Sequence, residues 1–405
     1  MDHPAISRRR LLRYGAAAAP LAAFGPLLAG TAWAAETSDT AAVPDASGAA
    51  AAPGAAPTLR MPAETDPHAR TFLAWPEPTS AWGAQLPAVQ ADIANLAKEV
   101  SRFEPVVMVI NPESVAAATP LCNTASIPFS HGITFLPVSN DDLWIRDFGP
   151  TFLVGPGAVA GLDTNFNGWG KTGTKYEQAF ANDAKAAAAL LAHYRIDRVQ
   201  APFTGEGGSL ETDGQGTLLA TVSSLVNPNR NPGLSQGDVE QRLKSSLGVE
   251  KVIWVAGLAG QDITDSHIDC VARFSAPGRV ILDKPGPGSA PLWVNVYQQA
   301  KQVLQSATDA KGRPLTIVEL PGPDHQKIDG TGSSFLASYT NHYTANGAVL
   351  MPQFGDAAAD DAARAVLAAE YPGRTVVPVR INAIAAGGGG IHCATQSQPV
   401  VPSAA

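Results

Sequence analysis

The chain has 405 residues, 45% of them hydrophobic, and a formal charge of −8. That is enough apolar material for a sizeable core in one large domain or two. The acidic balance argues against nucleic acid as a partner and fits small cations.

The N-terminus reads as a leader. Ser7-Arg8-Arg9-Arg10-Leu11-Leu12 precedes an apolar stretch that ends in Ala32-Trp33-Ala34, the pattern of a twin-arginine export signal over residues 1–34. Gly15, Pro20, Gly25 and Pro26 interrupt that stretch, which is short for a membrane span. Removing the leader strips Asp2 and four arginines and leaves a net charge of −11. Residues 35–58 are dominated by Ala and Pro and read as a disordered linker. The expectation is an exported protein, periplasmic or extracellular, with one catalytic domain over 59–402 and no membrane span in its mature form. Three cysteines follow the leader: Cys122, Cys270 and Cys393. The absence of a C-x-x-C pair argues against a zinc site or a redox couple.

From residue 59 onward, short apolar runs alternate with helical segments. Strands are expected at 106–110, 133–138, 251–256, 279–283, 315–320 and 375–380. Helices are expected at 175–194, 235–248, 292–308 and 361–373, with a weaker one at 113–122. Ser235 and Gly248 supply the start and stop of the second. The order helix, strand, polar loop recurs five times, the loops being "SNDDLWIRDFGP", "TGEGGSL", "DITDSHIDC", "PGPDH" and "GGGGIHC". Asp147, Glu206 and His267 are spaced 59 and 61 positions apart. Repeated units would gather equivalent loops on one face of a radial arrangement of blades. An ordinary α/β sheet with loops at its strand ends would gather them equally well, and the spacing does not decide between the two.

The loops carry Asp141, Asp142, Trp144, Arg146 and Asp147, then Glu206, then His267 and Asp269, and finally Cys393. A thiolate is the strongest side-chain nucleophile but must be ionised or paired with a base. Several carboxylates beside it suit a guanidinium, which is flat, cationic and donor-only. The run Gly387–Gly390 lets the backbone take positive φ and approach such a ligand closely. Cys270 follows Asp269 directly, and strand-like alternation would turn it to the opposite face. His392 would likewise point away from the neighbouring thiol. Cys122 and Cys270 read as packing residues.

Several blocks in order resemble the agmatine deiminase and bacterial-type peptidyl-arginine deiminase family: "MPAETDPHARTFLAWPEP" (61–78), "NDDLWIRDFGP" (140–150), "EGGSLETDGQGTLLAT" (206–221), "NPNRNPGLS" (227–235), "DSHIDCVARF" (265–274), "ASYTNHYTANGAVLMPQFGD" (337–356) and "GGGGIHCATQSQP" (387–399). The resemblance implies a pentein fold, a five-bladed pseudo-symmetric α/β propeller. It implies Cys393 as nucleophile, His267 as general acid and base, and Asp147 and Asp269 on the guanidinium nitrogens. Glu206 would be a third carboxylate near the guanidinium or the imidazole, and Trp144 would pack on the aliphatic chain of the substrate. No metal or organic cofactor is implied. The expected reaction is hydrolytic deimination through a covalent Cys-thiouronium, most simply agmatine plus water to N-carbamoylputrescine and ammonia.

The alternatives are deimination of arginine residues in peptides, a non-catalytic secreted guanidinium- or polyamine-binding protein, and a cysteine protease. The partner is then a small guanidinium cation, and the sequence leaves room for a homo-oligomer. Phe148, Ser266, Gly390 and Ser397 depart from the usual agmatine-type pattern without removing a proposed catalytic group.

Overall fold

The computed structural model describes residues 58–404 apart from 79, 331 and 333. The export leader and nearly all of the linker expected before residue 59 lie outside the described residues.

Five small sheets follow one another along the chain. The first contains β1 (His68–Ala74), β2 (Val106–Ile110) and β3 (Ile133–Pro137), all parallel. Each later sheet is an antiparallel hairpin, a crossover helix and a third strand parallel to the second. The second has β4 (Thr151–Gly155), β5 (Ala158–Asp163) and β6 (Asp197–Gln200). The third has β7 (Glu211–Thr212), β8 (Thr217–Thr221) and β9 (Lys251–Val255). The fourth has β10 (Ala272–Ala276), β11 (Arg279–Lys284) and β12 (Thr316–Pro321). The fifth has β13 (Tyr343–Ala345), β14 (Ala348–Gln353) and β15 (Thr375–Arg380). The chain then returns to the first sheet, where β16 (Gln396–Pro399) pairs antiparallel with β1. The fold is therefore the five-bladed α/β propeller, not an open sheet, and its two ends are closed by backbone hydrogen bonds.

Crossover helices fill the spaces between blades. Pro291–Ser306 packs on β9 of the preceding blade, Ala357–Glu370 on β12, and Leu86–Ser101 on β15. Leu86–Ser101 escaped the sequence reading, although Val89, Ile93, Leu96, Ala97 and Val100 repeat at helical spacing and are all buried. The helix expected from 175 begins only at Asp183. The one expected from 361 begins earlier, at Ala357, because the Asp356 side chain accepts from the Ala359 N–H and caps it. Gln236–Leu247 starts on a capping box between Ser235 and Asp238 and stops at Gly248, as its sequence indicates.

A carboxylate whose side chain is only 10% exposed joins the blades. Glu64 lies 2.7 Å from Arg146 before β4, 2.7 Å from Arg273 in β10 and 2.8 Å from His392 before β16. It also accepts from the N–H and hydroxyl of Thr344 in β13. Burial opposes its ionisation, but the two arginines and His392 outweigh that and hold its carboxyl well below the usual range. Removing one member of such a cluster strands the others in a low-dielectric interior. Glu64→Ala should therefore cost about 3–5 kcal/mol, read as a lower denaturation midpoint. Glu99→Ala, which removes a partly exposed pair with Arg102, should cost less than about 1 kcal/mol. Equal losses in the two variants would remove Glu64 from its central role.

Candidate active site

The segments that enter the first strands of successive blades converge. Asp147 precedes β4, Glu206 to Gly208 precede β7, His267 and Asp269 precede β10, Asn341 precedes β13, and Cys393 precedes β16. All of these side chains are buried. The fourth contribution comes from Asn341 and not from the "PGPDH" loop that the repeat pointed to.

Cys393 Sγ lies 3.5 Å from Asp269 Oδ2 and accepts from Asn341 Nδ2 at 3.3 Å. His267 Nδ1 is 3.6 Å from Asp147 Oδ1, and Nε2 is 3.2 Å from Glu206 Oε2. Gly208 sits among them. A Cβ there would be 2.6 Å from His267 Nδ1, 2.8 Å from Asp147 Oδ1 and 3.1 Å from Asp269 Oδ2. The links through Asp269 and this point bound the separation of the Cys393 sulfur and the His267 imidazole below about 10 Å. Gly208 also donates its N–H to Asp147 at 3.1 Å. Any side chain at 208 would fill the space between the carboxylates.

The carboxylates differ in what holds them. Asp147 Oδ2 accepts from Trp169 Nε1 at 2.9 Å, and the nearest cationic partner is His267. Burial pushes the Asp147 carboxyl up to about 6, against the pull of His267. Asp269 Oδ2 instead meets His392 Nδ1 at 2.7 Å; burial opposes its ionisation, but that bond together with the charges of His392, His267 and Arg273 outweighs burial and holds the Asp269 carboxyl well below the usual range. Burial opposes ionisation of Glu206, but Arg230, 2.9 Å away, and His267 together outweigh it and lower the Glu206 carboxyl. For His267 burial favours the neutral ring, but Asp147 and Glu206 together overcome it and push the imidazole up to about 9. The neighbouring Cys270 favours ionisation of the Cys393 thiol, but burial, Asp269 and Asp147 outweigh it and push the thiol up.

Two sequence expectations are corrected. Cys270 does not face away: Ile268–Cys270 is a 3₁₀ turn, so strand alternation does not apply, and its sulfur lies within 4.8 Å of Cys393 Sγ and of an Asp269 carboxylate oxygen. His392 also turns into the site and bridges Asp269 to Glu64. Of the other loop acids, Asp141 accepts from the Asn182 backbone and side chain, and Asp142 holds Trp82 Nε1 at 2.7 Å. Arg146 pairs with Glu64 and not with Asp147. Trp144 is buried, tilted against Trp82 with ring centroids 6.0 Å apart.

The glycine run serves mainly close packing. Only Gly388 has positive φ. Side chains at 387 and 389 would strike Trp82 and Trp144, and one at 390 would come within 2.5 Å of Asn341 Oδ1. Asn341, Trp169 and Arg230 were missed. Asn341 and Arg230 lie inside recognisable blocks, but only the folded chain reveals their partners.

A family model described as Porphyromonas-type peptidyl-arginine deiminase matches residues 60–399. The chain belongs to this family. It is 37% identical to an agmatine deiminase of Pseudomonas aeruginosa, over 84% of this chain and 95% of that protein. It is 35% identical to one of Medicago truncatula, over 85% and 97%. A solved agmatine deiminase of Enterococcus faecalis superposes with a TM-score of 0.76 at 33% identity, over 84% of this chain and 96% of that one.

Asp265 and Ser266, immediately before His267, both have left-handed backbone, with φ of 60° and 68°. Asp265 is anchored by Lys171 and Arg230, each at 2.6 Å. Ser266 is buried, and its hydroxyl has no partner. Glycine adopts this conformation freely and would remove the orphan hydroxyl. Ser266→Gly should raise stability by about 0.5–1 kcal/mol, seen as a higher melting temperature. A lower one would mean that the serine is not strained.

Proposed function

We propose that this protein is a guanidine-hydrolysing enzyme that deiminates agmatine to N-carbamoylputrescine and ammonia through a covalent intermediate on Cys393. The observation that carries the reading is Asp147, a carboxylate 2% exposed that accepts from Trp169 Nε1 and the Gly208 N–H, has His267 as its cationic neighbour, and shares the surroundings of Gly208 with Asp269. Two acceptor-only groups gathered beside one glycine fit a planar cation that has only donors. Names carried by relatives 33–37% identical point the same way.

The steps follow from the charges. A guanidinium between Asp147 and Asp269 places positive charge beside the sulfur and favours the thiolate that burial and the acids otherwise oppose. The sulfur forms a bond to the guanidinium carbon. His267, protonated in the free protein, passes its proton to the departing nitrogen; the C–N bond breaks and ammonia leaves. A thiouronium remains on Cys393. The now neutral His267 takes a proton from water as the water's oxygen attacks the same carbon. The C–S bond breaks and a ureido product is released. Acid–base help of this kind contributes about 10²–10⁴ in rate. Glu206 keeps His267 basic, and Trp144 lines the path of the aliphatic chain. The leader pattern adds that the enzyme works after export, where arginine residues in peptides are a second class of substrate.

Three outcomes are expected. Cys393→Ala should release no ammonia, and retained turnover would discard the scheme. Asp147→Asn should lower kcat/KM by about 10²-fold or more, whereas a loss confined to stability would leave Asp147 a packing residue. The profile of kcat/KM against pH should fall on its alkaline side near 9 as His267 loses its proton. Glu206 raises the proton affinity of His267, so Glu206→Gln should move that fall to lower pH; an unmoved limb would assign it to another group. Comparing ammonia release from agmatine, free arginine and an arginine peptide separates the substrate classes.

A further inference from the structure

Deimination needs one thiol, and this site has two. Cys270 Sγ, Cys393 Sγ and an Asp269 carboxylate oxygen all lie within 4.8 Å of one another. Asn341 Nδ2 donates to both sulfurs, at 3.4 Å to Cys270 and 3.3 Å to Cys393. Cys270 Sγ donates to Asp269 Oδ1 at 3.3 Å, while Oδ2 stays with His392. Tetrahedral bonds of about 2.3 Å to a zinc-like ion place neighbouring sulfurs about 3.8 Å apart, inside the observed spread. A second feature points to the same space. His267 Nδ1 is buried without a hydrogen-bond partner and lies beside Gly208, as does Asp269 Oδ2.

We propose that Cys270, Cys393 and Asp269 form a binding site for a thiophilic divalent cation such as Zn²⁺ or Cd²⁺, which occupies the centre in place of substrate. Two thiolates and a carboxylate suit a borderline-soft ion and leave a fourth coordination position. Binding breaks two S–H bonds, forms two metal–sulfur bonds and releases two protons to solvent; nothing is oxidised. Asp269 Oδ1 exchanges a thiol hydrogen bond for the ion. Because the ion takes the Cys393 sulfur, metal and substrate exclude one another. Ligand spacing in the sequence gives no sign of this site, since its sulfurs come from separate repeats brought together only by closure of the propeller.

The test is a Cd²⁺ titration of the fully reduced chain, following the ultraviolet sulfur-to-cadmium absorption, whose intensity scales with the number of thiolates bound. The expected result is one ion per chain with the intensity of two thiolates. Cys270→Ser and Cys393→Ser should each cut the band to about half and weaken binding about tenfold or more. Cys122→Ser, at a buried thiol outside the cluster, should change neither. An unchanged band in either active-site variant, or a band lost in Cys122→Ser, would overturn the proposal. Should Cys270→Ser fail to fold, the halving in Cys393→Ser and the two-thiolate intensity of the unaltered chain still decide. The readout needs no turnover, so it stands or falls independently of the deiminase reading.

Discussion

A carboxylate buried without a full cationic partner is the constraint on which the rest turns. Burial raises the Asp147 carboxyl to about 6, and the protonated His267 at 3.6 Å offsets only part of the cost. A cation arriving from solvent relieves that cost and turns desolvation into binding selectivity. In the proposed reaction the same cation also favours ionisation of Cys393, so the proposed nucleophile becomes reactive when there is something to attack. In that scheme Asp147 links recognition to chemistry.

The propeller makes this placement possible. Strand closure by β16 puts the Cys393 loop against loops that earlier blades supply. His392 ties that loop to Asp269 on one side and to Glu64 on the other. Glu64 in turn binds Arg146 and Arg273, which sit near Asp147 and Asp269 in the chain. One buried ionic cluster therefore positions both acids and the nucleophile. The left-handed backbone at Asp265 and Ser266 fits the same pattern of local strain kept at a functional site by its neighbours, here Lys171 and Arg230.

Strands such as Val106–Ile110 and Thr375–Arg380 were legible because a fully or alternately apolar run of that length has few other uses. Hairpin strands such as β4 and β5 were not read, since Gly155, Gly157 and Gly161 break up the apolar run that holds them. Cys393, His267, Asp147, Asp269 and Glu206 stood out because reactive side chains recurred in equivalent loops. Asn341, Trp169 and Arg230 act through partners remote in sequence, and no local spacing encodes those. Cys270 was misjudged for a different reason: a 3₁₀ turn stood where alternation assumed a strand.

The account rests on a covalent bond to one particular sulfur of two that lie side by side. Rapid acid quench during turnover of agmatine, followed by digestion and mass measurement of the peptides, reads that bond directly. The account predicts an adduct equal to substrate minus ammonia on the peptide carrying Cys393. The same adduct on the Cys270 peptide, or steady turnover with no adduct on either, would contradict it.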